Sequence, residues 1–208
     1  MTNKLAVFDF DSTLMAGETL EFFARELSIE EKVKAITDRA MRGELDFFES
    51  LTERVAYLKS LPIKKVDDIC HNLPLMNGAA EVVRELKVKG YKVVCFSGGF
   101  RNATAYFAEK LGLDGEFSNI LHIKDGLLTG QVGGDMMFND SKGHMLVKLQ
   151  KLLNITKENT LAVGDGANDL SMFKFADKRA AFCAKPILKE KANIIIEEKD
   201  LRLLLNYV

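Results

Sequence analysis

A chain of 208 residues, 47% hydrophobic, with 15 Gly and 3 Pro, is long enough for one substantial core and a small second unit. Its 29 basic and 30 acidic residues leave a net charge of −1 without any Lys/Arg run, which argues against nucleic acid as a partner. Cys70, Cys95 and Cys183 are too few and too widely spaced for a disulfide framework or a thiolate zinc site, and no apolar stretch approaches the roughly 18 residues of a membrane span.

The opening MTNKLAVFDF reaches its acids too soon for a signal peptide, so a reducing, cytoplasmic setting is expected. Cys95 and Cys183 lie in apolar runs, as small core residues do. KLAVFDF reads as a buried strand that delivers Asp9 and Asp11 at its end, with Phe10 between them. If the strand persists, both carboxylates face one side. Two nearby carboxylates are stable only if a cation neutralises them or one keeps a proton. Taken alone, D-x-D is also a common cap or turn.

Residues 15–74 read as consecutive helices without a strand. SIEEKVKAITDRAMRG opens on a Ser28/Glu31 capping box and places Ile29, Val33, Ile36 and Ala40 on one face. In LDFFESLTERVAYLKSL, the residues Phe47, Leu51, Arg54 and Leu58 share a face. An arginine in that stripe either finds a partner or snorkels from its flank. A further helix follows Pro62. An all-helical insert directly after the first strand suits a lid over the strand ends.

AAEVVRELKVKG is a helix ending on Gly90, and YKVVCFSGG (91–99) is a second strand. Ser97-Gly98-Gly99 then predicts a glycine turn opening the helix RNATAYFAEKLGL, where backbone N–H groups and the helix dipole favour an anion. The same residues also suit a plain turn with a serine cap. ILHIKDGLLTGQVGG (120–134) predicts a β-hairpin. In FNDSKGHMLVKLQKLL, Asp140 or Ser141 caps a helix and Lys142 falls in its first turn, where the dipole disfavours a cation unless it meets an anion. TLAVGDG (160–166) is a third strand, followed by the helix ANDLSMFKFA; AAFCA and ANIII are further strand candidates.

Alternating strands and helices with continuous apolar strands predict a doubly wound parallel sheet with an inserted helical cap and a small hairpin insertion. In such sheets ligands gather at the carboxyl ends of the strands. Asp9, Asp11, Ser97 and Asp165 all fall there. An oxygen-only set of Asp9, Asp11 and Asp165 favours Mg²⁺, with Asn168 and Asp169 fixing loop geometry or outer waters. With Ser97 and Lys142 as anion holders, these parts suit phosphoryl transfer.

The motifs DFDSTL, SGG, SKG and GDGANDLSMF resemble, in order, the four motifs of the haloacid dehalogenase-like phosphatases, and MAGET, AMRGELDFFESLTERV and AFCAKPILKEKA extend the likeness along nearly the whole chain. The resemblance implies a core of residues 1–14 and 75–208 with a specificity cap of residues 15–74. It implies Asp9 as nucleophile and Asp11 as general acid, then base. The implied Mg²⁺ ligands are the carboxylates of Asp9 and Asp165 and the backbone carbonyl of Asp11. Ser97, Gly98, Lys142 and Asn168 are the implied phosphate-end contacts. The implied small-molecule substrate is O-phosphoserine, in the last step of serine biosynthesis. Arg54 then meets its carboxylate, Glu18 its ammonium, and Met41 and Phe47 its carbon skeleton. Phosphothreonine, phosphohomoserine or another small phosphomonoester is the alternative substrate, and a phospho-aspartate signalling domain the alternative function. With Asp9 so near Met1, no N-terminal regulatory domain is expected.

Overall fold

The first strand, β1 (Lys4–Phe8), has no polar face. Leu5 and Val7 point into one core and Ala6 and Phe8 into another, all fully buried. A strand apolar on both sides requires cover on both faces, and that demand organises the fold. The computed structural model describes residues 4–208, apart from the side chain of Met41.

After β1 come four helices: α1 (Thr19–Glu26), α2 (Glu30–Met41), α3 (Phe47–Ala56) and α4 (Ile63–His71). The chain then alternates through α5 (Ala79–Val88), β2 (Tyr91–Phe100) and α6 (Arg101–Leu111). The hairpin β3 (Gly115–Lys124) and β4 (Leu127–Gly134) precedes α7 (Ser141–Leu153), β5 (Thr160–Gly164) and α8 (Leu170–Phe173). β6 (Lys178–Phe182), α9 (Pro186–Lys189) and β7 (Ile194–Ile196) complete it.

The seven strands form one sheet in the order β4-β3-β2-β1-β5-β6-β7. All neighbours are parallel except β3 and β4. The order reverses beside β1, so the ends of β1, β2 and β5 open a crevice there. One face is covered by α5 and α6, with Val82, Val83, Leu86, Ala103 and Phe107 fully buried. The other is covered by α7 and α8, with Leu146, Met172 and Phe173.

The expected parallel sheet and hairpin are both present, the hairpin turning at Asp125-Gly126 with φ of 50° and 77°. It is not a separate appendage, because β3 also pairs with β2 and carries the main sheet outward. Three sequence readings need correction. Ser28 does not cap α2: it adopts φ 54°, and Ile29 occupies the cap position without a side-chain bond. The capping box belongs to α3 instead, where Asp46 accepts from the Glu49 N–H and Glu49 from the Asp46 N–H. Cys183 is half-buried, unlike Cys70 and Cys95. Finally, Ser97-Gly98-Gly99 makes no helix-opening turn. β2 runs on through Phe100, and α6 begins at Arg101 with neither glycine at positive φ.

Candidate active site

β1 stops at Phe8, so strand alternation is not what pairs the two acids. Asp9 stays extended (φ −67°, ψ 159°), and the chain then folds into one tight turn closed by the Met15 N–H donating to the Phe10 carbonyl at 2.9 Å. Ser12 takes φ 57° within that turn. The turn lifts Asp11 off the strand line while leaving both carboxyls at the crevice.

Asp9 is only 3% exposed. Its Oδ1 accepts from the Phe10 N–H and from Lys142 Nζ, each at 2.7 Å, while Asn168 Nδ2 stands 3.5 Å from Oδ2. Lys142 comes from the first turn of α7 and is itself buried. Neither Asp140 nor Ser141 makes a side-chain cap to α7; the Ser141 hydroxyl accepts from the Phe138 N–H instead. The anions that Lys142 meets belong to the protein: Asp9 and, also at 2.7 Å, Asp169 Oδ1. The other Asp169 oxygen accepts from the N–H groups of Asp165 and Gly166. A Cβ at Gly164 would collide with that carboxylate, so the close approach requires glycine.

Carboxylate oxygens of Asp9, Asp165 and Asp169 lie within 4.8 Å of one another. One ammonium among three carboxylates leaves an excess of negative charge. Burial, then repulsion from Asp169, raises Asp9 well above the usual aspartate range, although Lys142 opposes the rise. The same two causes lift Asp165 to about 6. Burial pushes Lys142 down, but Asp169 and Asp9 outweigh it and keep the ammonium charged. The cluster therefore has the electrostatics of a cation site.

Asp11 is held differently. Its Oδ1 accepts from the Thr19 N–H at 2.7 Å and the Thr19 hydroxyl at 2.6 Å, at the start of α1. Its Oδ2 is approached by the Ser97 hydroxyl at 3.4 Å. Burial raises its pKa and the two Thr19 bonds oppose that. A Cβ on Gly99 would stand 2.7 Å from Oδ2, and one on Gly98 would stand 2.8 Å from the Phe47 ring. These glycines provide space rather than an unusual backbone angle.

A cavity of about 990 Å³ spans the strand ends and α1–α3. It is lined by Asp9, Asp11, Gly98, Asp165 and Asn168 on one side and by Glu18, Phe47 and Arg54 on the other. Ser97 and Lys142 lie just beneath, contacting Asp11 and Asp9. Arg54 is half-buried; its Nε donates to the Ser50 carbonyl, and no carboxylate among the described residues pairs with it. Burial lowers its pKa, with Glu18 and Asp11 opposing. Glu18 accepts from the Ser12 hydroxyl at 2.7 Å. Its burden of surrounding protein, then the Asp11 charge, lifts it to about 8, and solvent in the cavity tempers that rise because the residue is exposed. The expected contact of the Met41 side chain lies outside the described residues.

The sequence offered Asp169 only a part in loop geometry or outer waters, whereas it pairs with Lys142, and it offered Thr19 no site role. Asp169 looks like any helix-start acid; its full burial against Lys142 is visible only in three dimensions. Thr19 has the sequence signal of a first-turn residue and nothing more.

Residues 3–177 match the haloacid dehalogenase-like hydrolase family. The phosphoserine phosphatase of Wolinella succinogenes is 62% identical over 205 residues, covering 99% of this chain and 100% of the relative. That of Methanocaldococcus jannaschii is 53% identical over 205 residues, covering 99% and 97%. A solved phospho-aspartyl intermediate analogue of phosphoserine phosphatase superposes with a TM-score of 0.94 at 52% identity, covering 100% of both chains. A substrate-bound phosphoserine phosphatase complex gives a TM-score of 0.94 at 51% identity, covering 100% of this chain and 99% of that one. Fold, motif placement and alignment along nearly the entire length agree: the chain belongs to the haloacid dehalogenase-like hydrolases.

Proposed function

We propose that this chain hydrolyses O-phospho-L-serine to L-serine and phosphate, the last step of serine biosynthesis, through an aspartyl-phosphate on Asp9. The observation that carries this reading is one cavity with a held carboxylate at its floor and an arginine and a glutamate on its opposite wall. Its relatives named phosphoserine phosphatase support the substrate. A cytoplasmic setting fits cysteines that are all free, and no helix among the described residues is long and apolar enough to cross a membrane.

In this reading residues 1–14 and 75–208 form the catalytic core and residues 15–74 the cap that selects substrate. Asp9 Oδ2 attacks phosphorus in line as the bond to the serine oxygen breaks. Asp11 gives that oxygen its proton from Oδ2, since Oδ1 is engaged by Thr19. The resulting Asp11 carboxylate then takes a proton from the water that attacks the aspartyl-phosphate, which releases phosphate and restores Asp9. Lys142, Ser97, the Gly98 backbone and Asn168 hold the phosphoryl oxygens. Phe47 flanks the carbon skeleton.

The hard oxygen donors of the acidic cluster suit Mg²⁺. Asp169 is saturated by Lys142 and two N–H groups, so the ligands in this reading are the carboxylates of Asp9 and Asp165 and the Asp11 carbonyl. When bound, the ion screens the charge of the phosphoryl group and of the acids around it.

Phosphate release from phosphoserine, phosphothreonine, phosphohomoserine and p-nitrophenyl phosphate, with and without EDTA, tests the assignment. Phosphoserine is expected to show the highest kcat/KM, and EDTA to abolish turnover. Arg54→Ala and Glu18→Gln are each expected to raise KM for phosphoserine about 10- to 100-fold, the worth of a charged hydrogen bond. Because p-nitrophenyl phosphate carries neither charged group, its KM is expected to stay within about threefold. Equal effects on both substrates would refute the assigned wall.

Metal-free Asp165 releases its proton near 6 when folded, against about 4 when unfolded. The folded state therefore holds more protons between those values, and its stability falls as pH rises through them. Glu18 continues the decline towards 8, more weakly because solvent reaches it. A cation competes with these protons, so the thermal stabilisation given by MgCl₂ is expected to be larger at about pH 8 than at about pH 5. A pH-independent gain would remove the acidic cluster as the binding site.

A further inference from the structure

Two aromatic side chains from distant parts of the chain meet beside residues that line the cavity. Phe48 is the second residue of α3, and Phe138 lies three residues before α7. Their rings are stacked, with centroids 5.5 Å apart and planes 13° from parallel. Yet Phe48 is 40% exposed and Phe138 58% exposed. Large apolar groups left this far in water gain by covering one another, but neither is needed to fill the core. Their chain neighbours Phe47 and Asn139 line the cavity.

Each ring is mechanically continuous with a group at one end of the site. The Phe138 N–H donates to the Ser141 hydroxyl, and the Phe138 carbonyl accepts from the Ser141 N–H, both at 3.1 Å. This pair of bonds ties the Phe138 ring to the first turn of α7, where Lys142 follows directly. On the other side, Phe47 fills the space over Gly98, and Arg54 follows two turns along α3. The far end of α3 rests on the hairpin, where a Cβ on Gly130 would stand 3.1 Å from the Ala56 carbonyl oxygen. The near end is held by Phe47 on Gly98 and by the ring stack, so the stack helps fix where the first turn of α3 stands.

We infer that the Phe48–Phe138 stack is a clasp that sets the separation between Arg54 and Lys142. It is a positioning pair for a substrate with a carboxylate at one end and a phosphate at the other, and this rests on the function proposed above. A ligand that spans both groups feels the clasp; one bound through its phosphate alone does not.

The test is a double-mutant cycle of Phe48→Ala, Phe138→Ala and the double variant, with Phe138→Tyr as the variant that keeps an aromatic ring. Each single alanine variant is expected to raise KM for phosphoserine about three- to tenfold, the range of an aromatic pair, with kcat changed less than about twofold. The double variant is expected to match either single one, since the second ring has nothing left to stack on. KM for p-nitrophenyl phosphate is expected to hold, the Tm of the alanine variants to fall by no more than about 5 °C, and Phe138→Tyr to behave as wild type. Amide hydrogen exchange over the first turn of α3 supplies a readout free of turnover, expected to quicken about three- to tenfold in either alanine variant. Independent, multiplying effects in the double variant, an equal rise for p-nitrophenyl phosphate, or unchanged exchange would overturn the clasp. A wild-type protein inactive on phosphoserine would overturn the substrate assignment instead, while the exchange measurement still decides whether the rings hold α3.

Discussion

Asp9→Asn is expected to lower turnover of phosphoserine by about four orders of magnitude or more, because an amide cannot carry the phosphoryl group between ester and water. The same substitution is expected to raise the Tm of the metal-free protein, on the order of 3 °C for a chain of this size. These opposite outcomes have one cause. The Asp9 carboxylate is buried beside Asp169 and Asp165, and its ionised form is disfavoured even with Lys142 at 2.7 Å. A neutral isostere removes that repulsion, while Lys142 keeps its bond to Asp169. Rapid-quench trapping of phosphoenzyme, with a thermal melt in EDTA, checks both halves. Phosphate release from the variant at a wild-type single-turnover rate would end the covalent mechanism. An unchanged or lowered Tm would show that the cluster is not under the strain of its own charge.

Removing the cation should do the reverse to stability. Lys142→Met is expected to lower kcat/KM by about 10²- to 10³-fold, the usual cost of losing one donor to a developing oxyanion. It is also expected to destabilise the fold by about 3–5 kcal/mol, because it strips a buried ion pair of its only ammonium. Asp169 is fully buried and would keep only the N–H groups of Asp165 and Gly166 as partners. At about 2–4 °C per kcal/mol, the Tm is expected to fall by at least about 6 °C. Urea melts of Lys142→Met and of the Lys142→Met/Asp169→Asn double variant separate the contributions. The double variant is expected to recover part of the lost stability and none of the lost activity. If it recovers no stability, the unpaired Asp169 charge is not the source of the loss.

Much of this site is legible in the linear chain because its strongest signals are local. An apolar run that ends in Asp9-Phe10-Asp11 announces a buried strand with charge at its tip, and three such tips in a doubly wound sheet must converge. Phe47, Leu51 and Arg54 repeat at helical spacing, so a charged group on an apolar face is visible without coordinates. The capping of α2 failed as a reading because Ser28 ends α1 instead, at φ 54° with the Ile29 N–H returning to the Ala24 carbonyl, so it does not take the extended conformation that a cap of α2 needs. Ser97-Gly98-Gly99 likewise reads as a turn, although its glycines are required by Asp11 and Phe47, which arrive from elsewhere.

By itself the amino-acid order determined the alternating α/β class, the acids at the strand tips and the helical insert, since each follows from hydrophobic period and residue chemistry within a short window. Only the tertiary structure decided that Lys142 is shared between Asp9 and Asp169, that Thr19 grips Asp11, and that Phe48 stacks on Phe138. Those pairings join residues 8 to 133 positions apart along the chain, and no local periodicity encodes which partners meet; burial and packing across the sheet select them.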